Sequence, residues 1–174
     1  MRRRRMLTRR RRRAAGIAAA AVLALGLFSH QPPGVPAATG APPAAMARVL
    51  GYARAQEGCP YVWGGTGPCE AGYDCSGLAM QAYASAGITI PRTSQAQWAA
   101  GPRVTRPQPG DLVFFAGGDG TPAAPGHVGI VTGSHLMIDA YATGFSIQQQ
   151  SFGLASSWPG QQVVVGFTAP WEGP

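Results

Sequence analysis

Hydrophobic positions divide the body of the chain into a helical first half and a strand-rich second half. Between residues 44 and 56 apolar side chains recur at helical spacing, and Gly58 follows as a stop signal. A small-residue run at 77–86 and a short segment within 91–100 predict two further helices. From residue 111 onwards, short apolar runs between glycine and proline turns predict strands at 111–116, 127–132, 136–141, 146–152 and 162–168.

The order of these elements predicts the fold class. Helices followed by a run of hairpin-linked strands are typical of an α+β domain with an antiparallel sheet. The chain has 174 residues, which is enough for one domain with a hydrophobic core. The sequence shows neither an internal repeat nor a second domain.

The positive charge of the chain is confined to its N-terminus. The formal net charge is +7, but nine of the 14 basic residues lie within residues 2–13. The remaining five arginines are outnumbered by seven acidic residues, which leaves the body with a net charge of −2. Because no basic patch for phosphates remains in the body, we expect no nucleic-acid partner.

The N-terminal segment has the layout of a secretory signal. The basic stretch is followed by an uncharged apolar run at 14–28 and then by a Pro/Ala/Gly-rich stretch. The apolar run is shorter than the roughly 20 residues of a membrane-spanning helix. Small side chains at 35–37 suit a signal peptidase. An uncleaved membrane anchor, a basic arm that binds nucleic acid or anionic lipid, and the choice between Sec and twin-arginine export stay open.

These features predict the organisation of the whole chain. We expect a signal peptide at 1–37, a flexible Pro/Ala-rich linker at 38–43 and a folded domain at 44–174. The protein is then secreted or held in the cell wall, with no stable membrane association after the signal is removed.

A cysteine stands at the start of the second predicted helix, in the stretch Tyr73-Asp74-Cys75-Ser76-Gly77-Leu78. Unpaired backbone N–H groups and the positive end of the helix dipole favour the thiolate there, which is the nucleophilic form. Asp74 is a suitable N-cap residue for this helix. The alternative is a buried structural thiol, as most free cysteines are.

A nucleophilic thiol needs a base, and the base needs an orienting partner. His127 begins an apolar strand, and Asp139 lies in the next strand, where an unpaired carboxylate would be costly. A hairpin can bring the two together, so we predict a Cys75–His127–Asp139 triad. The alternatives are a structural histidine and a carboxylate on the solvent side of an edge strand. His135 follows a Gly-Ser turn and is expected to be exposed.

The three cysteines fit an exported protein with one free thiol. Cys59 and Cys69 bracket the Trp-Gly-Gly turn and could form a disulfide, which would leave Cys75 free. Both could instead be reduced. The cysteine and histidine spacings match none of the usual zinc patterns, so we expect no metal.

Five motifs along the chain resemble those of NlpC-type cell-wall cysteine peptidases, in the order typical of that family. They are YxWGG at 61–65, DCSGL at 74–78, PRTSxxQ at 91–97, PGDLVFF at 109–115 and HVGI at 127–130. The resemblance covers roughly residues 44–168.

The resemblance implies a papain-like fold in which N-terminal helices, including the nucleophile helix, pack on an antiparallel sheet. It implies cleavage of peptidoglycan stem peptides, most often between D-glutamate and a diamino acid, by a thioester acyl-enzyme. Cys75 would be the nucleophile, His127 the base and Asp139 the third polar residue. The Cys75 backbone N–H and the Tyr61 hydroxyl would hold the oxyanion. No cofactor is needed, and we expect a monomer.

The resemblance also implies a set of substrate-binding residues. Asp74 and Ser76 match residues that receive the amino end of a stem peptide, and Tyr61 matches a tyrosine beside the nucleophile. Arg92 and Ser94 match a motif that borders the groove. The loops at 67–72 and 117–126 are longer than expected and could reshape this groove.

Three other functions stay open on the sequence alone. The same thiol and imidazole could serve an N-acetylmuramoyl-L-alanine amidase, which cuts between the sugar and the first alanine, or an acyltransferase. The domain could be a catalytically inactive wall-binding module. The protein could also be tethered to the membrane, with its basic arm carrying the function.

Overall fold

The structure is a computed structural model that describes residues 43–116, 120–153 and 163–172. The predicted signal peptide at 1–37 and nearly all of the predicted linker lie outside the described residues. The first helix begins at Pro43, the last residue of that linker, and proline suits the first position of a helix. Within the described residues, no helix has the length and hydrophobicity needed to cross a membrane.

All three predicted helices are present. They are α1 (Pro43–Ala55), α2 (Cys75–Ser85) and α3 (Ser94–Ala100). The apolar positions that predicted α1 are the buried ones, since Val49 and Ala53 are fully inaccessible to solvent.

The described residues contain six strands: β1 (Arg103–Val104), β2 (Leu112–Ala116), β3 (His127–Gly133), β4 (Leu136–Asp139), β5 (Gln148–Ser151) and β6 (Val163–Thr168). They form one antiparallel sheet in the order β1-β6-β2-β3-β4-β5. All five predicted strands are present, to within two residues at each end, and the α+β fold class is confirmed. The short strand β1 and a 3₁₀ helix at Pro170–Glu172 were not predicted. The last strand pairs with β2 and β1 rather than with β5, so the run of hairpins ends at β5.

The sheet is covered by apolar side chains on both faces. Leu112 and Phe114 of β2 belong to the main core with α1 and α2, whereas Val113 and Phe115 belong to a smaller cluster. Because successive side chains of a strand point to opposite faces, this division explains why β2 reads as an unbroken apolar run.

The start of α2 packs closely against the Trp-Gly-Gly turn. The Asp74 backbone N–H donates to the Gly65 carbonyl at 3.0 Å. A Cβ on Gly77 would lie only 2.1 Å from the Gly65 oxygen, so only glycine permits this approach. The turn thereby fixes the position of the first turn of α2, which carries Cys75.

Candidate active site

Cys75 is the first residue of α2. Asp74 caps the helix as predicted, with its Oδ1 accepting from the Gly77 backbone N–H at 2.6 Å. The thiol of Cys75 is half-buried and is the one free cysteine of the three. A thiol in this position faces the unpaired backbone N–H groups of a helix start.

The other two cysteines are joined. Cys59 and Cys69 form a disulfide with an S–S distance of 2.02 Å across a sequence separation of 10. This disulfide closes a loop that contains Tyr61 and the Trp-Gly-Gly turn.

His127, the first residue of β3, is buried with 4% of its surface exposed. Its Nε2 lies 2.7 Å from Oδ2 of Asp139, which is itself 1% exposed. The Cys75 side chain lies close enough to this imidazole to raise its pKa, and both residues line the same groove. Because Asp139 occupies Nε2, Nδ1 is the ring nitrogen left for the thiol. The structure therefore brings together the three residues predicted as a triad.

The strand register explains how Asp139 reaches His127. Ile130 pairs with Ile138, and continuing this register by one residue sets Asp139 opposite Gly129. His127 lies two residues before Gly129, and such diagonal neighbours in a sheet are within reach of long side chains.

A residue that the sequence reasoning missed holds the other side of Asp139. The Gln150 side-chain amide donates to Asp139 Oδ1, so both carboxylate oxygens are engaged. Asp139 pairs with Gln148 in β5, which makes Gln150 its diagonal neighbour. The only signal in the sequence is the polar run 148–150 in the strand that follows Asp139.

The electrostatic surroundings favour a protonated imidazole. Burial alone would lower the pKa of His127, because it disfavours the charged ring. The negative charge on Cys75, the hydrogen bonds with Asp139 and Cys75, and the charge of Asp139 outweigh burial and raise this pKa from 6.5 to about 10. The surroundings of His127 thus favour the charged form of its ring.

A groove of about 660 Å³ opens over Cys75 and His127. All five predicted substrate-binding residues line it: Tyr61, Asp74, Ser76, Arg92 and Ser94. Asp139 does not contribute to the lining. The groove is also lined by Trp63 and Tyr141, to which the sequence reasoning gave no role. Trp63 is 79% exposed, and the Tyr141 ring stands edge-on to the imidazole with the centroids 5.9 Å apart.

Within this groove Asp74 is already paired by its own chain. Arg92 binds it in a bidentate manner, with NH1 2.9 Å from Oδ1 and NH2 2.6 Å from Oδ2. Arg92 NH1 also donates to the Ser76 hydroxyl at 3.0 Å, and the Gly64 backbone N–H donates to Asp74 at 3.0 Å. The hydrogen bond with Asp74 raises the pKa of Arg92. An ammonium group that approached Asp74 would have to share it with Arg92.

Ser94 lines the groove, but its hydroxyl donates inward to the Pro125 carbonyl at 2.9 Å. His135 is exposed, as expected, and lies outside the groove. Across the described part of the chain, no three His, Cys, Asp or Glu side chains cluster as metal ligands would. A second cavity of about 420 Å³ lies beside α3 and Pro170 and contains none of the predicted site residues.

An α+β fold with a thiol at a helix start and an imidazole on the adjoining sheet is an architecture that thiol hydrolases use. A family model described as the NlpC/P60 family matches residues 58–161. The chain belongs to the NlpC/P60 family, and the resemblance seen in its motifs is confirmed.

Known relatives agree with this family. The bifunctional muramidase/DL-endopeptidase CwlT of Bacillus subtilis is 45% identical over 98 residues, which cover 55% of this chain and 29% of CwlT. A solved NlpC/P60 family protein from Bacillus cereus aligns with a TM-score of 0.62 at 31% identity, over 76% of this chain and 42% of that one. The peptidoglycan hydrolase RipB of Mycobacterium tuberculosis aligns with a TM-score of 0.58 at 28% identity, over 73% of this chain and 65% of RipB. The chain thus spans less than a third of CwlT.

Proposed function

We propose that this domain is a cysteine peptidase that hydrolyses peptidoglycan stem peptides. The observation that carries the proposal is the buried pairing of His127 with Asp139 beside the free thiol of Cys75, which lines the same groove as His127. The names of the relatives support the substrate class, since they include an endopeptidase and a peptidoglycan hydrolase.

The mechanism that fits this geometry is acyl transfer through a thioester. The Cys75 thiolate attacks the amide carbonyl, and the Cys75 backbone N–H and the Tyr61 hydroxyl receive the oxyanion. The imidazolium of His127 then gives its Nδ1 proton to the leaving amine as the C–N bond breaks. Neutral His127 next takes a proton from a water that attacks the thioester, and the thiolate leaves. Asp139 fixes the ring and stabilises its charged form.

The bond we assign is the one between γ-D-glutamate and the diamino acid. A DL-endopeptidase activity in CwlT supports this choice, because that bond runs from a D to an L centre. In this proposal Asp74 and Ser76 receive the amino end of the stem peptide, and Tyr61 and Arg92 border it. Ser94 lies in the wall of the groove, where its hydroxyl donates to the Pro125 carbonyl. Arg92 would then tune how strongly Asp74 attracts an ammonium group.

We further propose that residues 1–37 direct export and are removed. The basic and apolar segments and the cell-wall substrate of the related hydrolases support this. N-terminal sequencing of protein recovered outside the cell tests it, and extracellular material that still begins at Met1 would contradict it.

Digestion of purified peptidoglycan, followed by mass spectrometry of the fragments, tests the enzymatic proposal. We expect fragments with a new amino-terminal diamino acid, and none with the Cys75→Ala variant as the matched control. Release of the stem peptide from the lactyl sugar would instead indicate an amidase. Unchanged peptidoglycan with a folded wild-type domain would indicate an inactive wall-binding module.

A further inference from the structure

A buried side-chain amide connects α3 to the start of α2. Gln97 is 1% exposed, and its Nε2 donates to the Ser76 carbonyl at 3.0 Å and to the Pro91 carbonyl at 2.8 Å. The two hydrogens of this amide suffice for both bonds. Ser76 directly follows Cys75, so the amide ties the first turn of the nucleophile helix to the segment that leads into α3.

A buried hydroxyl connects the same helix to the start of β3. Ser94 is 4% exposed, and its Oγ donates to the Pro125 carbonyl at 2.9 Å. Pro125 lies two residues before His127. The start of α3 is itself fixed, because the Thr93 side chain accepts from the Ala96 backbone N–H.

We propose that Ser94 and Gln97 are positioning residues that set the separation between the Cys75 thiol and the His127 ring. This inference rests on the proposed function. Cys75 and His127 are both the first residues of their elements, so their separation depends on what holds these two ends in place. Helix α3 contacts both ends through side chains one helical turn apart.

The burial of the two side chains disfavours direct contact with the stem peptide. The Ser94 hydroxyl hydrogen and both Gln97 amide hydrogens are used within the protein. Gln97 does not line the groove. Its Oε1 is buried and has no partner among the described residues, which costs stability that an apolar residue would not cost. Retaining an amide here is consistent with a role in the site rather than in folding.

Two readouts test the proposal in the full chain. The first is kcat and KM on a purified stem peptide. The second is the rate of alkylation by iodoacetamide across pH 4–10, which reports the thiolate because Cys75 is the one free cysteine. The variants are Ser94→Ala and Gln97→Met. Ser94→Thr keeps the hydroxyl and serves as the rescue. Phe152→Leu lies in the smaller core cluster and serves as a control for lost stability.

We expect Ser94→Ala and Gln97→Met to lower kcat by about 10- to 100-fold, since a displacement of about 1 Å can cost that much, with KM within about twofold. Alkylation below neutral pH should slow by about tenfold, because a thiolate that loses its imidazolium is protonated there. Ser94→Thr keeps the hydroxyl and should recover most of the kcat that Ser94→Ala loses. Phe152→Leu should keep wild-type kcat at an equal loss in thermal midpoint. If Gln97→Met does not fold, the comparison of Ser94→Ala with Ser94→Thr still tests the proposal.

Three results would overturn the inference: wild-type kcat in both variants, a raised KM with an unchanged alkylation profile, or an equal kcat loss in Phe152→Leu. The alkylation assay requires no cleavage. A wild-type protein that cuts no stem peptide therefore defeats the proposed function alone, while an unchanged alkylation profile defeats this inference alone.

Discussion

Changing Asp139 to asparagine removes the negative charge that contacts His127 but keeps the shape of the side chain. In the wild-type protein Oδ2 lies 2.7 Å from His127 Nε2, and Oδ1 accepts from the Gln150 amide. The asparagine oxygen can accept from His127, provided that the Gln150 amide turns over and presents its oxygen to the new NH₂ group. The imidazolium favours this arrangement because its Nε2 carries a hydrogen. Both hydrogen bonds then survive, and only the charge is lost.

The size of the effect follows from the type of hydrogen bond. The wild-type bond joins two charged groups and the variant's bond only one, and charge roughly doubles the strength of a hydrogen bond, so the imidazolium loses about 1–2 kcal/mol. Neutral His127 becomes charged when it deprotonates the attacking water, so the loss appears in hydrolysis of the thioester and lowers kcat by about 5- to 30-fold. The pKa of His127, raised to about 10 partly by Asp139, should fall. Asp139→Ala should lose more, because it leaves the buried His127 N–H and the half-buried Gln150 amide without their acceptor.

Stem-peptide kinetics measure the change in kcat, and an NMR titration of the histidine rings measures the change in the His127 pKa. The variant His135→Gln identifies which NMR signal belongs to the other histidine of the domain. Gln150→Glu, combined with Asp139→Asn, forces an acceptor toward the new NH₂ group and should not reduce kcat further. Wild-type kcat and an unchanged His127 pKa in Asp139→Asn would refute the electrostatic role. A loss beyond about 10³-fold would mean that the amide had selected the wrong tautomer.

Three further outcomes are expected. Removing the Cys59–Cys69 disulfide with two serines should lower the free energy of unfolding in denaturant by roughly 2–3 kcal/mol, given the loop of 10 residues; an unchanged midpoint would contradict it. Gly77→Ala should reduce kcat at least about tenfold although alanine is the better helix former, since its Cβ would lie 2.1 Å from the Gly65 oxygen; wild-type kinetics would show that the approach does not matter. Cys75→Ala should lower the pKa of His127, because it removes the charge that contributes most to raising it. NMR titration measures this pKa, and an unchanged value would argue against ion pairing.

The elements of this fold could be predicted because their signals are local. Helix spacing in α1, the cap at Asp74 and the turns between strands are all encoded within a few neighbouring residues. The position of β6 could not be predicted, because its pairing with β2 depends on contacts across about 50 residues of chain. The predicted run of hairpins would instead have paired the strand at 162–168 with the strand before it, at 146–152.

The same distinction separates the predicted and the missed residues of the site. His127 and Asp139 lie on two strands joined by a tight hairpin, so their proximity follows from the chain direction. Gln97 and Gln150 act through side-chain reach, which depends on the register of a sheet and on the packing of α3. The sequence offers only weak signals for them, namely the last position of the motif at 91–97 and the polar run at 148–150.

Asp74 and Arg92, which are assigned to substrate binding, also affect the electrostatic field at Cys75. The Asp74 carboxylate caps α2 one residue before Cys75, and by itself a negative charge there would oppose a thiolate. Arg92 compensates that charge through two hydrogen bonds, and its attraction to Cys75 also contributes to its raised pKa, after the bond with Asp74. A substrate ammonium that drew Asp74 away from Arg92 would therefore alter the field at Cys75 at the moment of binding. In the proposed mechanism, recognition of the stem peptide and activation of the thiol would therefore depend on the same carboxylate.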